Sequence, residues 1–363
     1  MSDNPEMKQS ARVHKWDLAK AFLILMVVWG HFANEYARPD DGDVIMKAIA
    51  VWIYAFHMPL FIYLSGLFAR PYGDKDRLPL KKMVYYVLIG YVLKVLIYMI
   101  KYFFGRNPVF MWFSDTGLPW YMFVMAAFVF LTWLLRKADW RLVLILSLLL
   151  SAGAGYIDEI GSFLNLSRLL VFFPYYYLGY LSRPDEIKRG LEDRRIRLLT
   201  ISILLLSLIV AVFFTRDIYG SIRMFTGRNS YYRIKGMSPA LMGLCRLLTY
   251  PVSLGISAGI LSLIPDRPCP VLERIGRSTL QIYFWHRLVL YFMVYGGVND
   301  WILQEYPRGW RVVYLGIATI LPLILSHPVF RFPLTLVGKC QEAMISLAGH
   351  FTGSGNEKRE KTG

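Results

Sequence analysis

His31 and Glu35 stand one helical turn apart, a spacing that puts both side chains on one face of a helix. An imidazole beside a carboxylate is general-base machinery. The ring takes a proton from a hydroxyl, and the carboxylate orients it and steadies the imidazolium. Lys20 lies eleven residues before His31, close to three full turns, so it shares the face. The axial separation is about 16 Å at 1.5 Å per residue. Asp17 falls on that face too. Everything from Ala21 to Gly30 is apolar or glycine. Lys20 can snorkel from such a stretch to a membrane interface, but a short imidazole cannot. An ionisable group held there is costly and marks a functional site by default. The plainer alternative for His31 and Glu35 is a polar pair between packed helices.

A second histidine follows in Phe56-His57-Met58-Pro59-Leu60-Phe61. Pro59 removes a backbone donor and should kink the helix beside His57. If the two helices run in opposite directions, His57 reaches the depth of His31, and two imidazoles at one depth suggest a shared polar cavity. Ser65-Gly66 reads as small-residue helix packing. Arg168 precedes Pro174 and four tyrosines, ending at Tyr180. It reads either as a cavity wall or as an interfacial arginine with an aromatic belt. Arg246 follows Cys245, and His286-Arg287 sits in a further apolar run. The charges in apolar runs are thus mainly cationic: Lys20, Lys94, Arg168, Arg246 and Arg287. A positive cavity wants an anionic ligand or a developing oxyanion.

The elements that must hold these groups follow from composition. The 363 residues are 56% hydrophobic and 16% aromatic, with positive mean hydropathy. Apolar runs of spanning length recur from start to end. Ten spans are expected, at 17–35, 44–69, 80–104, 118–135, 141–155, 163–182, 196–214, 240–264, 278–296 and 309–330. The fold class is an all-α polytopic membrane protein of about ten transmembrane helices. With the N-terminus inside, the inner segments carry 25 Lys and Arg against 8 on the outer loops. That asymmetry predicts cytoplasmic N- and C-termini. Residues 1–16 and 331–363 are then cytoplasmic, the tail from Thr352 disordered, and 17–330 the transmembrane catalytic domain. The polar first sixteen residues and the lack of a cleavage site make the first span an uncleaved anchor.

The net charge of +16 fits positive inner loops rather than nucleic-acid binding, because no basic stripe with interleaved aromatics occurs on a soluble domain. Cys245, Cys269 and Cys340 are spaced for neither a disulfide framework nor a metal site. One loop departs from the charge trend. Arg216, Arg223, Arg228, Arg233 and Lys235 all fall in the outer segment 215–239. It reads either as a solvated loop touching anionic headgroups or as an acceptor-binding flap over the outer mouth.

Four landmarks occur in order: Trp16-Asp17-Leu18-Ala19-Lys20 leading to Gly30-His31; Phe56-His57-Met58-Pro59 through Ser65-Gly66; Pro119-Trp120-Tyr121 and then Arg168 through Phe172-Phe173-Pro174 to Leu178-Gly179-Tyr180; and Ile275-Gly276-Arg277-Ser278-Thr279-Leu280 through Tyr283 to His286. In these the chain resembles the acyltransferase-3 family of integral-membrane O-acyltransferases, most closely the fucose 4-O-acetylase-like branch. The first landmark matches the family's basic-residue-x10-His pattern, with Lys where Arg is often found. One departure is that Arg70-Pro71-Tyr72-Gly73, then Lys81-Lys82, stands where many relatives have Arg-x-x-Arg.

The resemblance implies transfer of an acyl group, usually acetyl from acetyl-CoA, to a carbohydrate hydroxyl of a cell-surface glycan or its lipid-linked precursor. It implies an essential His31 and an important Lys20. On this reading the protein is a multi-pass enzyme of the plasma membrane with acyl-CoA, a glycan or lipid-linked sugar and membrane lipids as partners. No cofactor is permanently bound. Donor phosphates dock among Lys20, Arg70, Lys81 and Lys82. His31, supported by Glu35 or Asp17, is the base, and His57 is a second catalytic imidazole or a hydrogen-bond donor. Arg168, Arg246 and His286 position the acceptor or stabilise the oxyanion. The rival is a transporter or flippase for an anionic lipid or glycan, which explains the cations and needs no chemistry. On the ten-span reading, single cysteines introduced at positions 193 and 229 should react with a membrane-impermeant maleimide from opposite sides. Labelling of both from outside would rule that topology out.

Overall fold

Each of the ten expected apolar segments holds a helix. The structure is a computed structural model that describes residues 14–38, 41–69, 76–114, 117–161, 163–228, 230–234 and 238–357. Arg70, expected at the donor site, lies outside the described residues. In chain order the helices are α1 (His14–Tyr36), α2 (Val44–Leu67), α3 (Leu80–Phe103), α4 (Trp120–Leu134), α5 (Trp140–Ala154), α6 (Leu166–Leu181), α7 (Pro184–Glu192), α8 (Arg194–Phe213), α9 (Thr215–Ile218), α10 (Ile222–Thr226), α11 (Pro239–Leu263), α12 (Pro270–Arg277), α13 (Thr279–Tyr295), α14 (Val298–Glu305), α15 (Trp310–Leu325) and α16 (Phe332–Glu357). No strand occurs among the described residues.

Five helices, α1, α2, α3, α8 and α11, are long and apolar enough to cross a membrane. A sixth crossing counts if α15 is joined to Pro328–Ser346 across a 77° bend. The helices in the other four segments, α4, α5, α6 and α13, have 15, 15, 16 and 17 residues. Segments read as loops carry the short helices α7, α12 and α14. α16 runs on to Glu357, into the stretch expected to be disordered.

Burial sorts the long helices. The most apolar window of α1 is 72% buried within the protein and that of α8 only 17%. Leu198, Leu199, Leu205, Leu206 and Ile209 on α8, and Leu142, Ile145, Leu146 and Leu149 on α5, are exposed. An apolar surface that continuous suits lipid rather than water. α1 and α2 contribute to both large apolar clusters, one shared with α3–α6, α13 and α15 and the other with α8 and α11. The two helices therefore form the spine of the molecule.

Two features hold the spine in place. Pro59 lacks the N–H that would bond the Ala55 carbonyl. Ser253 Oγ of α11 donates to that carbonyl at 2.6 Å, so α2 continues through Pro59 with its freed acceptor satisfied. α2 and α6 also meet backbone to backbone. A Cβ on Gly66 would fall on the Tyr176 carbonyl oxygen, and one on Gly179 on the Tyr63 carbonyl oxygen. Ser65-Gly66 is thus a packing element.

At the end where α1 begins, charged groups tie the helices together. Lys15 Nζ donates to the carbonyls of Leu261 and Ile264 at 2.6 and 2.8 Å, filling acceptors that the end of α11 leaves open. Asp266 accepts from Lys188 Nζ at 2.6 Å and from the Lys15 amide at 3.0 Å. The Lys188 hydrogen bond is the main reason that the Asp266 carboxyl sits below the usual carboxylate range, with the Lys15 amide assisting against burial.

Gly179→Ala should separate α2 from α6 and lower stability by about 1–3 kcal/mol, the usual cost of overpacking. Gly153→Ala on α5 is the control, since an added Cβ there meets nothing within 4 Å. Thermal unfolding in detergent should show a lower midpoint for the first variant and an equal or higher one for the second.

Candidate active site

One stripe of α1 opens onto a cavity. Ile24, Val27, His31 and Asn34 recur at helical spacing and line one side of a space of about 480 Å³. Lys20 continues the stripe one turn before Ile24 but does not line the space. α2 contributes Tyr54, His57, Met58 and Phe61. α13 contributes Tyr283, Arg287 and Tyr291, and α3 contributes Lys94, Ile97, Tyr98 and Lys101. Arg168 and Phe172 of α6 and Trp120 and Tyr121 of α4 close the far side. Parts of 111–119 and 219–228 form the rest of the wall. His31, His57 and Arg168 are thus brought to one cavity.

The histidines are held differently. His57 Nδ1 lies 2.8 Å from the Ile53 carbonyl oxygen. A carbonyl only accepts, so Nδ1 carries the proton and Nε2 is the acceptor nitrogen. Tyr54 packs edge-on against this ring at 4.8 Å. His31 makes no hydrogen bond among the described residues; its ring faces that of His286, with centroids 5.3 Å apart. His286 Nδ1 in turn bonds the Ile282 carbonyl at 3.0 Å, and its buried Nε2 has no partner among the described residues. His286 does not line the cavity. It backs His31, so the expected place at the acceptor is corrected to a place behind the first-helix imidazole.

Glu35 also departs from expectation. Its carboxylate binds Arg287 Nη1 at 2.8 Å, with the two side chains 23% and 16% exposed. The guanidinium outcompetes a neutral ring for the carboxylate because it offers a charge-assisted bond. Glu35 therefore acts on α13 and not directly on His31. Asp17 is no substitute, since it pairs with Lys20 at 2.8 Å and lies 3.9 Å from Arg277. Arg246 is corrected as well. It is fully buried on α11, outside the cavity, with its guanidinium 5.9 Å from the centre of the Tyr231 ring.

The described members of the expected donor set each have their own surroundings. Lys20 is ion-paired and faces the Phe68 ring, Lys82 lies over Tyr86 at 5.0 Å, and Lys81 is exposed. No cluster of His, Cys, Asp or Glu among the described residues could hold a metal ion. Lys101 joins the wall beyond the expected residues, and Arg287, expected only as one of the cations in apolar runs, stands on the wall as well. Arg287 carried a usable signal, a charge in an apolar run. Lys101 sits at the end of such a run, where lysines are common, and gave none.

The cavity wall carries two imidazoles, which can act on a hydroxyl, and several cations, which suit an anionic centre. The acyltransferase-3 family model, described as an acyltransferase domain, matches residues 13–327. Nodulation protein NolL of Sinorhizobium fredii (strain NBRC 101917 / NGR234) is 27% identical over 177 residues, covering 46% of this chain and 47% of that protein. The match thus spans about half the length of this curated relative. No solved structure matches.

The Glu35–Arg287 pair should show as coupling. Glu35→Gln strands a guanidinium and should cost about 1.5–3 kcal/mol, the worth of a charged hydrogen bond. In an Arg287→Met background the same change should cost little. Equal losses in both backgrounds, read by thermal unfolding, would mean that the pair contributes nothing.

Proposed function

This chain belongs to the acyltransferase-3 family, and on that premise we propose that it moves an acetyl group from cytoplasmic acyl-CoA to a carbohydrate hydroxyl. The protein is a membrane acyltransferase; the acceptor is a cell-surface glycan or its lipid-linked precursor, and the site is in the plasma membrane. Ten spans with both termini inside, and the fucose 4-O-acetylase-like branch, belong to this proposal. The carrying observation is the α1 stripe, which runs from Lys20 through Ile24 and Val27 to His31 on the cavity wall.

In this reading the donor approaches from the Lys20 end, where Lys81 and Lys82 add positive charge, and its flexible thioester arm follows the stripe. The acceptor enters from the side of 111–119 and 219–228. His31 takes the proton of the hydroxyl as its oxygen attacks the thioester carbonyl. Negative charge builds on the carbonyl oxygen, and Arg287 and Arg168 stand on the cavity wall to meet it. The C–S bond then breaks, the new ester forms, and the imidazolium returns its proton to the leaving thiolate. His57, with its Nε2 as acceptor, takes a hydrogen bond from a neighbouring hydroxyl of the sugar and so orients its ring. His286 fixes the His31 ring from behind. An acyl-histidine intermediate fits the same groups.

A flippase would also use a cationic cavity, but it gives His31 no role. His31→Ala should abolish transfer from radiolabelled acetyl-CoA by purified protein while leaving insertion intact. His31→Gln keeps a hydrogen bond but cannot take the proton, so it should lose about 10²–10⁴-fold. Near-normal turnover by the Gln variant would move the base to His57.

A further inference from the structure

A second cavity lies where α1 begins. It measures about 560 Å³ and shares no lining residue with the His31 cavity. Three arginines stand on its wall: Arg274 and Arg277 of α12, and Arg331 from the turn before α16. Glu273 is the one acid of the lining among the described residues. It is already engaged, with His14 Nδ1 at 2.7 Å and Arg277 Nη2 at 2.6 Å. Arg274 donates through Nε to Ser326 Oγ at 3.2 Å. No carboxylate pairs with Arg274 or Arg331 among the described residues. Cations gathered without matching acids attract an anion.

The wall is held in place from two sides. Gln281 Nε2 of α13 donates to the carbonyls of Leu325 and His327 at 2.5 and 3.0 Å, and Trp285 Nε1 donates to that of Phe330 at 2.9 Å. α13 thus pins the 77° bend after α15, which brings Ser326, Pro328 and Arg331 into the lining. On the α12 side, a Cβ on Gly276 would fall on the Asp17 carbonyl oxygen, so α12 is seated on α1.

Exposed apolar side chains border the arginines. Val271 and Leu272 precede Glu273 on α12, and Val329 and Phe332 stand on either side of Arg331. Ile320, Leu323 and Ile324 recur at helical spacing on α15, and all three are exposed. With α15 across a membrane, a helix leaving it at 77° runs nearly along the surface, and Arg331 falls at headgroup depth. A basic pocket between helices, bordered by lipid-facing side chains, suits a charged headgroup with its chains alongside. A soluble anion would use the arginines and leave the apolar border idle. A zwitterionic lipid would bring its own cation against the arginines.

We infer that this cavity binds the phosphodiester headgroup of an anionic phospholipid, whose acyl chains lie along Ile324, Leu323 and Ile320 of α15. The bound lipid bridges α12 to the bend and so stabilises the fold. The site stands apart from the acyltransferase reading and does not rest on it. The orientation proposed above makes its leaflet the cytoplasmic one.

The test uses full-length protein in a neutral detergent and does not involve transfer. Dioleoyl phosphatidylglycerol, dioleoyl phosphatidylcholine, glycerol 3-phosphate and CoA are titrated in turn, and binding is read from the rise in the unfolding midpoint. Phosphatidylglycerol should half-saturate at least about tenfold below each of the others, the worth of one charged contact or a few buried methylenes. Its lead over phosphatidylcholine should shrink with salt. Arg274→Gln with Arg331→Gln should remove that lead. Ile320→Ser with Ile324→Ser should narrow the lead over glycerol 3-phosphate. Arg194→Gln with Arg195→Gln, at exposed positions on α8, should change neither. Unchanged midpoints without ligand confirm that the variants are folded. Phosphatidylcholine binding as tightly as phosphatidylglycerol would overturn the anion part, and glycerol 3-phosphate or CoA doing so would overturn the lipid part. Equal losses in the α8 variant and the Arg274–Arg331 variant would replace the site by general surface attraction. An unchanged lead in the serine variant would overturn the path of the chains.

Discussion

The close approach of α2 and α6 at Gly66 and Gly179 sets the geometry on which the site depends. With backbone against backbone, neither helix can slide or rotate without a clash, because packed interiors do not deform continuously. α2 carries His57 and α6 carries Arg168, so one contact fixes two walls of the cavity. α1 then packs on α2 beside Gly30, where an added Cβ would meet the Ile53 side chain at 3.0 Å. His31 is the next residue. The loss of one carbonyl bond at Pro59 is repaired by Ser253, which ties α11 into the same frame.

Electrostatics then decides what the residues in that frame can do. A carboxylate one turn from a histidine is available to it only if no stronger partner is present. Arg287 is that partner, brought by α13. The consequence is a division of labour: Glu35 holds a guanidinium at the cavity wall, and His31 is steadied by the ring of His286. Removing one member of a partly buried ion pair leaves the other charge without compensation, so Glu35 supports the site through Arg287.

The two ends of the bundle differ in charge balance. Where α1 begins, acids and bases alternate: His14 with Glu273, Glu273 with Arg277, Asp17 with Lys20, Asp266 with Lys188. At the other end the cavity is cationic. The first arrangement joins helices; the second gathers cations on one wall. Lys20 belongs to both descriptions, since it is ion-paired within the structural network and lies on the stripe that leads to His31.

The helical segments, the cations in apolar runs and the choice of His31, His57 and Arg168 as candidates, which the fold brings to one cavity, were legible in the sequence, because apolar run length and the cost of a charge in an apolar run are local properties. Helical spacing along α1 was legible for the same reason. Partner choice was not. Glu35 and Arg287 are 252 residues apart, and His31 and His286 are as remote, so only the packing of α13 on α1 could pair them. The exclusion of Arg246 and His286 from the cavity, the inclusion of Lys101 and the closing of the wall by 219–228 are likewise decisions of tertiary structure. Sequence determines which groups are costly to bury; the fold determines which of them face one another.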